Sequence, residues 1–313
     1  MLFGTLENMS QKNQFNFHWV GLVTTLEDLT NTEKEVLTQK FNSVRAYPIF
    51  MTMEELQPYL LFYENILRPL FHNFKDIRDM RNDYLKYWKD YLAVNQKVAS
   101  KILEVTKAQN NATTIWLHNN HLLMVPLYVK KSFERANIGL FFHSPFPSSA
   151  HFRSHKFRFE ILKSLLHCDL VAFHLFMYAR NFFKTCNRIC GFEIEFRRGG
   201  FLGINFHGRH VMIRVSHIGI EESFIEELVS SRKYRTYEKK LKDEMKIIGQ
   251  YLQANKSNND GSRSKAREVE DSSDKAKALK PIIMTSIDSY HPISGLKNKL
   301  LSYQLFLQRY PSY

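Results

Sequence analysis

The sequence predicts an α/β fold in which a parallel sheet carries helices on both faces and an antiparallel hairpin is added to it. Three observations lead there. Apolar runs at 115–117, 138–142 and 170–174 are short enough for strands and continuous enough to be buried on both sides. Each is followed by a helical pattern, at 122–135, around Ile161, Leu162, Leu165 and Leu166, and at 176–190. Each run also ends in a histidine, His118, His143 or His174, and such sheets bind ligands at the carboxyl ends of their strands.

From the N-terminus, residues 1–16 are polar and read as loose, and 17–24 reads as the first strand. Asn31-Thr32-Glu33 opens a helix through Phe41, and 44–50 is a second strand. Residues 53–107 are helical, with Tyr84, Tyr87, Trp88, Tyr91, Val94, Val98 and Ile102 on one broad face. After Phe142 the chain turns through Pro145 and Pro147, which cannot continue a strand, and Ser148 or Ser149 caps the next helix. Gly191 ends the helix that starts at Phe176. Residues 193–196, 201–206 and 209–216 read as antiparallel strands turning at His207-Gly208, and a charged helix follows over 223–253. The segment 254–280 is polar and poor in apolar residues, as expected of a disordered linker or insertion. A strand at 282–285 and an amphipathic helix at 296–310 close the chain, too little to bury a core alone.

Composition narrows the function. A chain of 313 residues suggests two domains, or one and a piece. No run approaches a membrane span, since the apolar stretch at 122–129 is broken by Pro126, and the first residues lack a signal-peptide pattern. Three cysteines without a close pair favour a reducing compartment, hence a cytoplasmic protein. The net charge of +13 is scattered rather than striped, so neither nucleic acid nor membrane is an expected partner. His118-Asn119-Asn120-His121 lacks the third ligand that a zinc site needs, and no GxSxG, GxGxxG or Walker pattern occurs. Neither metal nor cofactor is expected.

Phe142-His143-Ser144-Pro145-Phe146-Pro147-Ser148-Ser149, the segment from Leu117 through His118-Asn119-Asn120-His121 to Leu123, Asp169 to His174, and Tyr178-Ala179-Arg180 together resemble the trehalose-6-phosphate synthase family, most closely its plant class II branch. Leu67 to His72, Trp88-Lys89-Asp90-Tyr91, Gly208-Arg209 and Ile218-Gly219-Ile220 add to the match, in order, from about residue 17 to 310. The resemblance implies a GT-B architecture of two Rossmann-like domains facing a cleft. Residues 17–253 would then be the acceptor-side domain lacking its first segment, 254–280 a linker, and 281–313 the first strand and helix of the second domain.

The family transfers glucose from UDP-glucose to glucose 6-phosphate with retention. By resemblance, His143 contacts the donor sugar, Trp88 walls the acceptor pocket, and His118 and His121 flank the sugars. The departures weaken the chemistry. The family's sugar-contacting aspartate is Asn119, its acceptor-site tyrosine is Asn73, and its diphosphate-binding arginine and lysine are Ser289 and Ser294. By the same resemblance, the glycine-rich first loop is expected to fall before Met1 and the uridine-holding segment after Tyr313, and the phosphatase domain typical of the branch is not expected within residues 1–313. The expectation is a synthase-like chain with impaired turnover, or a regulatory protein that senses a sugar phosphate or pairs with full-length relatives.

Overall fold

The computed structural model describes residues 16–73, 84–109, 113–197, 201–217, 219, 221–260, 284–291 and 294–310. They form two compact units, up to Ile218 and from Gly219 onward.

The first unit holds two sheets. Strands β1 (Trp19–Thr25) and β2 (Ala46–Thr52) pair in parallel around helix α1 (Asn31–Ser43). Thr30 and Glu33 form a reciprocal capping box that fixes the start of α1. The left-handed backbone of Arg45, at φ 58°, delays β2 by two residues from the expected start at 44. A second capping box, Thr52 with Glu55, starts α2 (Met53–Phe62) directly from β2. A π-helical turn (Tyr63–Leu67) and the short α3 (Arg68–Phe71) continue it. Helix α4 (Tyr84–Ala108) buries the expected face, with Tyr84, Trp88, Tyr91, Val94, Val98 and Ile102 all in the core and Tyr87 partly so.

The six-stranded sheet runs β3-β4-β5-β8-β7-β6. It is built from β3 (Thr114–His118), α5 (Val125–Ser132), β4 (Asn137–Phe142), α6 (Ser149–Arg153), α7 (Arg158–Leu165), β5 (Leu170–Phe173) and α8 (Phe176–Cys190). The hairpin strands β6 (Ile194–Arg197), β7 (Phe201–Phe206) and β8 (Arg209–Val215) complete it. Ser148 caps α6 through its hydroxyl, and Gly191 closes α8 at φ 74°, a conformation that costs glycine nothing. The hairpin is not an appendage. Its last strand β8 pairs in parallel with β5, so the three strands extend the central sheet and bring a fourth strand end to its carboxyl edge. The fold is therefore α/β, with a parallel-dominated sheet and helices on both faces. One face of the large sheet, with Ile115, Leu117, Leu140, Phe142, Val171 and Phe173, lies in the core; the other is more open, and Trp116 on it is 51 % exposed.

At the amino edge Asp169 works as a clamp. Its carboxylate accepts from Lys130 Nζ at 3.1 Å, Arg209 Nη2 at 2.9 Å and the Ile138 N–H at 2.8 Å, tying α5, β8 and β4 to the start of β5.

In the second unit the expected 223–253 helix is two helices, α9 (Glu222–Ser230) and α10 (Arg232–Asp260). Ser231 separates them because its backbone is extended and its hydroxyl accepts the Tyr234 N–H, which starts a new helix. Helix α10 runs into the stretch expected as linker, whose remainder from 261 lies outside the described residues. So does the start of the strand expected at 282–285, and Met284 and Thr285 are exposed and irregular. A strand needs a paired neighbour, and among the described residues of this unit there is none. Helix α11 (Leu296–Arg309) follows as expected. No described helix is long and apolar enough to cross a membrane.

Candidate functional site: a histidine row at the carboxyl edge

Parallel pairing in register brings the strand ends together. His118 stands beside Phe141, and Phe141 beside Ala172, so His143 and His174, each two residues further on, fall on the same face of the sheet. His118 Nδ1 lies 3.0 Å from His143 Nε2. Ring centroids are 5.3 Å apart for His118 and His143, 5.5 Å for His143 and His174, and Phe141 fills the space between the last two at 4.8 and 4.9 Å. Trp116 extends the row at 4.9 Å from His118.

All three rings have their pKa pushed below the ordinary histidine value. Burial first, and the neighbouring His143 second, push His118 down to about 4. Burial and His174 lower His143, and burial and His217, just beyond β8, lower His174. The electrostatic neighbours of the pair are thus other imidazoles.

The turn after β3 is fixed from beneath. Asn119 adopts left-handed backbone at φ 61°, which asparagine tolerates, and its N–H donates to the Phe141 carbonyl at 2.7 Å. Its side-chain oxygen accepts from the Ser144 hydroxyl at 3.0 Å, joining the β3 turn to the β4 turn. From α4, the Tyr91 hydroxyl accepts the Leu123 N–H, and Asn95 accepts the Met124 N–H while donating to the His121 carbonyl. The Tyr59 hydroxyl donates to that same carbonyl. The π-helical turn places Tyr63 flat on His121, with centroids 3.8 Å apart. Burial lowers His121, with Glu64 and Arg68 nearby acting in opposite senses.

The fold thus gathers His118, Asn119 and His143, three of the sequence candidates, while His121 at the end of the same turn stacks on Tyr63. Trp88 is instead 6 % exposed, stacked on Phe157 at 4.2 Å and near Tyr91 at 5.6 Å, so its ring belongs to the aromatic core. Asn73 is exposed in left-handed backbone just past α3. Ser289 and Ser294 sit in the second unit, where the Ser294 hydroxyl donates to the His291 carbonyl at 2.7 Å and Asp288 pairs with Lys299. The structure adds Tyr59, Asn95, Ser144 and His217 to the sequence candidates, and gives Tyr91 a supporting role at the turn. The spacing of Tyr91 and Asn95, one turn apart on an apolar helix face, was the available sign that this face serves polar partners.

Asn120 is fully buried, and neither atom of its amide has a hydrogen-bond partner among the described residues. An unpaired buried amide costs about 1–3 kcal/mol. Asn120→Leu is therefore expected to raise the unfolding free energy by about 1 kcal/mol in urea titration; a loss of stability would show that the amide is paired in solution.

Among the described residues no group of three or more His, Cys, Asp or Glu side chains has the geometry to hold a metal ion. Neutral imidazoles and amides at a sheet edge can donate to and accept from hydroxyls, which is chemistry suited to a polyol.

The sequence model of glycosyltransferase family 20 matches residues 2–255. A probable alpha,alpha-trehalose-phosphate synthase (UDP-forming) of Arabidopsis thaliana is 35 % identical over 215 residues, covering 68 % of this chain and 24 % of the relative. An E. coli structure described as trehalose-6-phosphate bound with UDP-2-fluoro glucose superposes with a TM-score of 0.56 at 21 % identity, over 73 % of this chain and 48 % of the other. A Burkholderia xenovorans alpha,alpha-trehalose-phosphate synthase in complex with glucose-6-phosphate gives 0.52 at 18 %, over 70 % and 48 %. The chain spans about a quarter of the length of the plant relative and about half that of the two solved structures. Family match, plant relative and fold converge: the chain belongs to glycosyltransferase family 20.

Proposed function

We propose that this chain is a trehalose-6-phosphate synthase-like glycosyltransferase domain that keeps a sugar-contacting edge and has lost useful turnover. What carries this reading is the sequence at the family's charged positions: Ser289 and Ser294 stand where the family pattern has its diphosphate-binding arginine and lysine, and Asn119 where it has an aspartate. Glucosyl transfer from UDP-glucose builds charge on the departing diphosphate, and stabilising it calls for fixed cations. The positions that supply them in the family pattern are Ser289 and Ser294. Loss of one preorganised donor costs about 100- to 1000-fold in rate, so two such losses remove roughly four to six orders of magnitude.

Incubation with UDP-glucose and glucose 6-phosphate is therefore expected to release no UDP above the buffer rate. Release that His143→Ala abolishes would overturn this reading and make the chain an active transferase. A second reading, regulation by pairing with full-length relatives, is favoured by the apolar side chains exposed on α9 and α11, among them Phe224, Leu228, Leu300 and Leu301.

A further inference from the structure

We propose that His118 and His143 act as one proton-holding unit, which takes up a single proton when a phosphate-bearing sugar seats on the carboxyl edge. The inference rests on the sugar-site reading above and goes beyond it. The 3.0 Å contact between His118 Nδ1 and His143 Nε2 leaves room for one proton between the rings, so one ring donates and the other accepts. The two outward nitrogens, His118 Nε2 and His143 Nδ1, are then one donor and one acceptor in either arrangement of the inner proton. That pair suits a sugar hydroxyl, which both donates and accepts. A phosphate oxygen only accepts. It is met by both outward nitrogens only after the remaining lone pair has taken a proton from solvent, which leaves a singly charged pair with two outward N–H groups.

The surroundings allow one such charge. The groups facing the pair are His174 from the end of β5 and, next to it, His217 beyond β8; Arg214 stands on the same sheet face of β8, where its exposed side chain adds to the attraction for an anion. Three residues after His118, His121 stands with Glu64 and Arg68, which pair with each other at 2.8 Å and offset one another. Helix α8 begins two residues after His174 and turns its positive end to the same edge. Burial disfavours the charged pair without a ligand, which is why uptake accompanies binding.

Calorimetry in two buffers of different ionisation enthalpy counts the protons. UDP-glucose has no titration near neutrality, so the expected uptake of about one proton belongs to the protein, and its affinity should weaken by up to about tenfold per pH unit from pH 5 to 7. Glucose should bind without uptake. Glucose 6-phosphate titrates near pH 6 itself, so its uptake is taken relative to the His118→Asn variant. His118→Asn retains an amide near the Nδ1 position and should reduce the UDP-glucose uptake to near zero. Binding of UDP-glucose without proton uptake would overturn the proposal. If no sugar ligand binds, the sugar-site reading fails, and imidazole ¹⁵N titration of the free protein still decides. One shared midpoint for both rings, displaced for His143 by His118→Asn, supports the unit; independent midpoints overturn it.

Discussion

Asp169→Asn is expected to lower the unfolding free energy by about 2–3 kcal/mol. The replacement keeps the shape and one acceptor oxygen but removes the charge that holds Lys130 and Arg209. The Lys130 side chain is only 7 % exposed, so its ammonium is left nearly buried without a counter-charge. Breaking a buried pair costs about 3–5 kcal/mol. Asp169 is itself 40 % exposed and Arg209 36 %, so water screens part of the interaction and the expected loss falls to or just below the bottom of that range. The damage reaches further than one pair because the same carboxylate accepts the Ile138 N–H at the start of β4. Denaturant titration measures the loss. A change under about 0.5 kcal/mol would show that solvent already shares these groups.

Stability should fall steeply as the solution is acidified below pH 6.5, and His155 is the main cause. Complete burial pushes it down to about 3, with Arg158 contributing second. It sits among Phe62, Tyr84, Phe152 and Phe157, and its Nδ1 accepts the Phe157 N–H at 3.1 Å. An unfolded chain binds a proton at this ring below about pH 6.5, and the folded chain binds it only below about 3. In that window the unfolded state holds more protons, so stability is fully present above pH 6.5 and declines as pH falls, by about 1.4 kcal/mol per pH unit for this one group. His118, with its folded value near 4, adds a second proton over a narrower window. His155→Phe should cost about 1 kcal/mol at pH 7 through the unpaired Phe157 N–H and flatten the acid slope by one proton. An unchanged slope would place the acid sensitivity elsewhere.

Much of the first unit was legible because its signals are local. The apolar runs into His118, His143 and His174, the prolines at 145 and 147, the Ser148 cap and Gly191 each act within a few residues, and the structure uses them as read. The position of β8 was not legible. A hairpin pattern specifies antiparallel neighbours, whereas the pairing of Val171 with Ile213 is a contact across the chain that local alternation does not encode. The break at Ser231 was hidden by charged residues that favour helix on both sides. At the site, strand-end histidines announced the edge, but their 3.0 Å contact depends on register. The supports from Tyr91 and Asn95 looked like core positions because they lie on the apolar face of α4. Trp88, chosen through a family resemblance, is buried for a reason its own sequence context carries: it repeats at helical spacing with Tyr84 and Tyr91.

The sugar-binding role proposed for the carboxyl edge of this family 20 domain can be tested on the histidine row itself. The most direct measurement follows the imidazole ¹H–¹⁵N signals during titration with glucose 6-phosphate, trehalose 6-phosphate and UDP-glucose. Saturable shifts of His118, His143 and His174 are expected with at least one of these ligands, while the buried His155 stays in place. Saturable binding that leaves all three row signals unmoved, or no binding by any of the three ligands, would contradict that role.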